Sequence, residues 1–530
     1  MDRTNSLSGA GPRDTGPSGT GPKGSGVGGS APNGPGPGGS EPVGGVTSGA
    51  AGSGPRVSSL APPEVSKRLL PWLVAVAFFM ESLDTTILNT AVPAISAALH
   101  VGPLSMKAVL ASYTLSLAVF IPISGWVADR FGTRRVFAAA IGLFTLGSFL
   151  CGISSNIHLL VACRILQGCG GSMMVPVGRL TLVRTFAKSE LLRAMSFVSI
   201  PSLVAPMLGP IAGGLVVAYF HWRVIFFLNI PIGLVGLIMV YLHLPDYREE
   251  THPPDVVGLI LFGSGIALLS YVLEVFGEHT LGAGEISGLL VVSLALLAGY
   301  WIHAKTFAFP LLELGLFKIR TFRAAVSGSF FTRLGIGGVP FLLPLLYQVG
   351  LGFTPVESGL LIMPQAVAAM SMKAVMPRLL GAVGYRWVLV SNTVVLGLLL
   401  LLFATIGLHT PVWMIVLQAF LYGAFTSLQY TSMNTLVYAD TTDEESSAAS
   451  SIASTMQQMA ISFGVATAGL ATAFFVPSHG QSNAAEMIHG VHKALVALGL
   501  LTIFSTIVFR SLKQGDGQAV SQQRVFHPGG

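Results

Sequence analysis

Between Trp72 and Ile95 the chain reads WLVAVAFFMESLDTTILNTAVPAI, an apolar run long enough to cross a bilayer that still carries two carboxylates, Glu81 and Asp84. A charge near the middle of such a run costs roughly 2.5–3.5 kcal/mol even on a lenient insertion scale, so acids kept there point to function. Three residues apart, they project from one helix face, which must look into a bundle or a wet cavity rather than at lipid. A proton and a cationic ligand can each neutralise such an acid, and so compete for it. We therefore expect Asp84 to sit in a water-reachable hollow between helical halves.

Three further charges interrupt apolar runs. Arg164 opens an otherwise apolar span; its guanidinium keeps its proton, so it is a fixed positive charge able to act on an acid across a cavity, or else an arginine snorkelling to the headgroups. Arg333 lies inside a later span, where it is either a cavity cation opposite the first-helix acids or half of a structural ion pair. Glu274, in SYVLEVFG, reaches only the outer interface if its helix is an accessory one. Cys151, Cys163 and Cys169 have no metal-ligand spacing and read as small core residues. Most histidines (His221, His243, His252, His279, His409, His479, His489) fall in loops without a nucleophile–base grouping, which argues against a membrane-embedded enzyme. No P-loop pattern occurs, so no nucleotide, metal or other cofactor is expected.

The elements that hold these residues follow from composition. With 52% hydrophobic residues, 10% charged and a mean hydropathy of +0.70, the chain of 530 residues is an all-α polytopic membrane protein. The net charge of +6 at such low charge density implies no nucleic-acid partner. The first stretch, rich in Gly, Pro and Ser as in GPGPGGSEPVGG, cannot bury a core and reads as a disordered tail over residues 1–66 with no removable signal. Apolar runs then give about fourteen spans. If all are real, 17 Lys and Arg fall on one side and only Lys107, Arg223 and Lys493 on the other, which places both termini in the cytoplasm. An odd number of spans would scramble that bias.

The loop DRFGTRRVF after the second span and PRLLGAVGYRWVL after the tenth share a Gly, one residue, an Arg and a new apolar run. Matching loops argue for two parallel six-helix repeats, residues 67–250 and 319–513, with a two-helix insertion at 251–318 and a cytoplasmic tail at 514–530.

GWVADRFGTRR (Gly125 to Arg135) and RILQGCGGSMMVPVGR (Arg164 to Arg179) resemble the loop and fourth-helix signatures of the major facilitator superfamily. LDTTILNTAVP and HWRVIFFLNIPIG resemble its fourteen-helix drug:proton antiporter branch, the EmrB/QacA type. RLGIGGVPFLLPLLYQVGLGF and TSMNTL are similar to MdtD-like members. The resemblance implies the major facilitator fold, two six-helix bundles plus two extra helices, in the cytoplasmic (inner) membrane of a bacterium. It makes Asp84 the first-helix acid and Arg164 its proton-relay partner; Glu81 matches no position of the motif and reads as a second proton-coupling acid, a gate or a hydrogen-bonded spare. In the turn of Gly125, Asp129, Gly132, Arg134 and Arg135 the glycines permit close approach of the second and third helices and Asp129 can accept from helix amides or an arginine, which reads as a gating latch between the two halves. Positive-inside topology alone would explain the arginines but not Asp129. In the fifth helix Gly209, Pro210, Gly213 and Gly214 match the antiporter motif, whereas Ser196 and Ala205 stand where that motif has glycines.

Cargo contacts are sought among Asn89, Tyr113, Gln167 and Gln348, with Phe78, Gln365, Gln429 and Asn434 as further possibilities. The implied activity is export of amphipathic or cationic compounds by alternating access, driven by protons. Export of one metabolite, or sensing without transport, are the competing readings.

Overall fold

The structure, a computed structural model, describes residues 64–186, 188–249, 251–276, 282–442, 445–475 and 484–517. The expected N-terminal tail lies outside these up to residue 63, and so does the C-terminal stretch from 518.

Every long apolar run has become a helix. In order these are α1 (Glu64–Ala98), α2 (Lys107–Phe131), α3 (Thr133–Ile153), α4 (Ile157–Thr185), α5 (Lys188–Tyr219), a short α6 (Val224–Phe227) leading into α7 (Asn229–His243), α8 (Val256–Phe276) and α9 (Ala283–Thr306). Then come α10 (Arg320–Ile336), continued by α11 (Val339–Leu345) and a π-turn at Leu346–Gly350, α12 (Pro355–Val383), α13 (Tyr385–Phe403), α14 (Val412–Leu436), α15 (Ser446–Phe475) and α16 (Ala484–Phe509). Among the described residues 13 segments are long and apolar enough to cross a membrane. The fourteenth is α5, whose apolar stretch Val204–Tyr219 ends a helix interrupted by Pro201, Pro206 and Pro210.

The repeat read from two loops has a backbone counterpart. Gly132 and Gly384 both adopt positive φ, +98° and +82°, and each closes one helix by donating its N–H four residues back, to Ala128 and Leu380. Each then accepts from the residue four ahead, Val136 or Val388, to open the next helix. A side chain is strained in that conformation, which is why both loops carry glycine there.

The two halves meet through α2 against α15 and α5 against α12. The α5–α12 seam is made of glycine on backbone: a Cβ on Gly214 would strike the Pro355 carbonyl, and one on Gly359 the Pro210 carbonyl. Across the halves Gln348 Nε2 donates to the Thr90 carbonyl at 2.9 Å and Ser462 Oγ to that of Ala111 at 3.0 Å. These contacts lie toward the end of the molecule remote from the base-rich loops.

Helices α8 and α9 form a hairpin whose α8 packs on both α2 and α15. At the base-rich end Asp255 fastens it: the buried carboxylate accepts from Gly258 N at 2.7 Å and Leu311 N at 3.0 Å, and pairs with His303 Nε2 at 2.7 Å. Asp255→Ala strips the acceptor from all three and is expected to cost about 2–4 kcal/mol. Earlier thermal unfolding in detergent, with faster amide exchange across 256–306, would register this; wild-type exchange there would refute it.

Candidate functional site

Asp84 does not look between the halves. It is 1% exposed and turned into the first half, where α4 and α7 supply its partners. Arg164 Nη1 donates to Oδ2 at 2.6 Å, while Gln167 Nε2 at 2.9 Å and Asn229 Nδ2 at 3.0 Å donate to Oδ1. Ser148 Oγ takes a hydrogen bond from Gln167 at 2.6 Å and from Asn229 at 3.1 Å. Arg164, itself 1% exposed, donates to Gln167 Oε1 at 2.7 Å and lies over the Tyr113 ring, 4.2 Å from its centroid. The expectation of a water-reachable Asp84 is thus corrected. Helical spacing gives a face but not its direction, and here three polar partners draw the acid inward.

The close approach of these helices rests on small residues. Gly147 leaves room for the Gln167 backbone, Gly168 for Ser116 and Gly171 for the Tyr113 hydroxyl. Tyr113 and Gln167, sought as cargo contacts, are fully buried and belong to this cluster instead.

Glu81 is placed otherwise. One turn before Asp84, it is half-buried, and its Oε2 is buried with no hydrogen-bond partner. The charges acting on it are Arg179, whose guanidinium lies 5.8 Å from the Phe78 ring centroid, and Asp84. A carboxylate oxygen in this position calls for a proton or for a hydrogen-bond donor, a positively charged ligand among them.

The turn between α2 and α3 is clasped within its own half. Asp129 accepts from Arg184 of α4 at 2.8 Å, and Arg184 also pairs with Glu249 at 2.7 Å. The backbone N–H of Arg134 donates to Asp246 Oδ1 at 3.2 Å, and Thr133 N–H to the Tyr247 carbonyl at 3.0 Å. Asp246 also fills the space where a Cβ on Gly132 would stand. Gly125, Arg130 and Arg135 are exposed, with nothing within 4 Å of a Cβ built on Gly125. The expected latch between halves is therefore, in this conformation, a latch inside one.

In α5, Gly209 and Gly213 lie against Thr86 and the Ile87 carbonyl of α1, while Pro210 and Gly214 face α12. Arg333 is buried in the second half, donating from Nε to Ser329 Oγ at 2.9 Å with its guanidinium 3.5 Å from the Tyr430 ring centroid. Glu274 sits at the base-poor end, where its carbonyl accepts from the buried Lys107 Nζ at 2.9 Å. Asn89 is half-buried and donates to the Thr85 carbonyl at 3.3 Å. Gln348 belongs to the contact between halves described above. Of the remaining polar positions, Gln429 is buried against Asn392 and Thr393, Asn434 is exposed, and Gln365 has a buried Nε2 without a partner.

Sequence reasoning missed Ser148, Asn229 and the segment from Pro245 to Glu249. Asn229 lay within HWRVIFFLNIPIG, where an amide in an apolar run was a signal; Ser148 carried none.

Breaking the buried pair from one side leaves an uncompensated charge, so Asp84→Asn is expected to destabilise the fold by about 3–5 kcal/mol. Asp84→Asn combined with Arg164→Leu should recover part of that loss. Thermal melts of the wild type, the two single variants and the double would show it, and additive losses would contradict the pairing.

The sequence profile of the Major Facilitator Superfamily matches residues 74–465 and 325–522. A protein of Serratia proteamaculans (strain 568) named "Putative multidrug resistance protein MdtD" is 43% identical over 399 residues, 75% of this chain and 84% of its own length. The protein of the same name from Escherichia coli (strain K12 / DH10B) is 42% identical over 459 residues, 87% of this chain and 98% of its own. Among solved structures, a bacterial homologue of the human lysosomal transporter Spinster, in an inward-facing and unoccupied conformation, aligns with a TM-score of 0.61 at 13% identity, over 88% of this chain and 100% of that one. A D-xylose-proton symporter aligns at 0.60 with 13% identity, covering 86% and 99%. The chain accordingly belongs to the Major Facilitator Superfamily and is an integral membrane transporter.

Proposed function

We propose that this transporter exports amphipathic, cationic compounds in exchange for protons, by alternating access of two six-helix halves spanning 67–250 and 319–513 in the cytoplasmic membrane of a bacterium. Both termini lie in the cytoplasm in this reading, supported by the concentration of Lys and Arg in loops on one side. The multidrug-resistance names of the relatives support the cargo class.

The observation that carries the exchange step is the unpartnered, buried Oε2 of the half-buried Glu81, one turn from a sealed ion pair. In the cycle we propose, proton and cargo exclude one another at Glu81. Asp84 and Arg164 act behind it: their pair fixes the orientation of α1 and sets the charge that Glu81 feels. The seam of Gly214 and Gly359 closes the base-poor end, and the turn at Asp129, Arg134 and Arg135 resets when the base-rich end closes. A potential of 100 mV supplies about 2.3 kcal/mol for each charge moved.

The test uses a lipophilic dye cation in inverted vesicles and proton release from purified protein. Glu81→Gln should lower proton-driven uptake at least about tenfold, equivalent to about 1.4 kcal/mol, and abolish proton release on adding the dye. Asp84→Asn should lower uptake as well. Unchanged proton release by Glu81→Gln would remove that residue from the exchange, and wild-type uptake by both variants would remove the first-helix acids altogether.

A further inference from the structure

The second half holds a buried cation with no acid of its own. Helices α10 to α16 contain Glu357 and Glu486 as their only acidic residues, both in first turns at the base-poor end. Arg333 lies thirteen residues into α10 from the base-rich end, near mid-membrane, where neither can reach it. Its described contacts are neutral, the Ser329 hydroxyl and the face of Tyr430. Arg164 in the first half has a carboxylate at 2.6 Å; among the described residues Arg333 has none.

A guanidinium withdrawn from water without an anion is costly to keep, and it remains charged because it holds its proton. Tyr430 is half-buried, so the group that covers Arg333 is itself reachable from one side. A planar fork of N–H donors beneath that ring suits an anion such as a carboxylate, which binds a guanidinium through two parallel hydrogen bonds.

We infer that Arg333 is an anion-binding residue of the transport site and that the cargo of this chain carries a carboxylate as well as a cationic centre. This rests on the exporter reading above: Glu81 takes the positive part of the cargo from the first half, and Arg333 the negative part from the second. Among amphipathic cations the preferred cargo is then one that also carries a carboxylate.

A matched pair of dyes tests this, a zwitterionic carboxy-rhodamine and its cationic methyl ester. Both are measured for binding to the purified, full-length protein by fluorescence polarisation and for proton-driven uptake into inverted vesicles. The wild type should bind the acid more tightly than the ester. Arg333→Gln should shrink the acid-to-ester affinity ratio at least tenfold, and Arg333→Lys, which keeps the charge but loses the fork, should fall between; if the Gln variant does not fold, the Lys variant decides. An acid-to-ester ratio unmoved by either substitution overturns the inference, because Arg333 then serves the scaffold or pairs with Glu81 in another conformation. A ratio that shifts in binding while neither dye is pumped upholds the anion site and refutes the exporter reading instead.

Discussion

A carboxylate and a guanidinium joined at 2.6 Å and shut away from solvent hold the first half in register. Taking two such charges out of water costs several kcal/mol each, and their attraction offsets this only when the remaining polar atoms are also satisfied. Here they are: Gln167 and Asn229 complete Oδ1 of Asp84, Ser148 ties those two amides together, and the Val109 carbonyl and the Tyr113 ring receive other faces of Arg164. The pair therefore fixes how α1 is rotated about its own axis. Three residues along a helix amount to about 60° around it, so the rotation that buries Asp84 leaves Glu81 at the edge of the same cluster. One acid is consumed by structure, and the other remains available.

Charge is distributed unequally over a fold whose two halves share a plan. The polar cluster of α13 and α14 is neutral, built from Asn392, Thr393 and Gln429, where α3 and α4 of the first half enclose an ion pair. Along the seam of α5 and α12 the contacts are glycine on backbone, which suits surfaces that must separate because it involves little side-chain interlock. Gly214 on the Pro355 carbonyl and Gly359 on the Pro210 carbonyl form one such seam. Flanking it, Gln348 reaches the Thr90 carbonyl with a single amide hydrogen bond, which water can replace when the helices part.

Much of this was legible from residue order, and the reasons for the exceptions are physical. Hydropathy located the spans because a bilayer demands helices of a given length. The two Gly-x-Arg loops revealed the repeat because a positive φ leaves few alternatives to glycine. What could not be read was direction. A spacing of three put Glu81 and Asp84 on one face, but whether that face met water or the α3–α4–α7 interior depended on Ser148 and Asn229, which lie 64 and 145 residues beyond Asp84. Tyr113 and Gln167 were misread for a related reason. A polar or aromatic group inside a membrane serves a buried network as well as it serves a ligand, and sequence does not separate the two. Asp129 was recognised as an acceptor, yet its donor, Arg184, lies in the same half, because Glu249 from the end of the sixth span brings that arginine across.

The few cations on the base-poor side bear on orientation in a way that a tally conceals. Positive-inside bias reflects charges left in loops during insertion, so a cation absorbed by the protein carries less topological weight. Two of the three are absorbed. Lys107 is buried, with its Nζ on the Glu274 carbonyl and its stem filling the space beside Gly469. Arg223 donates to the Ser154 carbonyl at 2.9 Å and lies over Trp222, whereas Lys493 is exposed, its ammonium 4.7 Å from the Phe475 ring centroid. On the opposite side Arg130, Arg135, Lys305 and Arg510 remain exposed. Lys107 moreover joins three helices, α2, α8 and α15, at the place where the halves touch, which gives the extra hairpin a hold on that end of the molecule. The same burial that removes Lys107 from the topological count thus makes it part of the contact between halves.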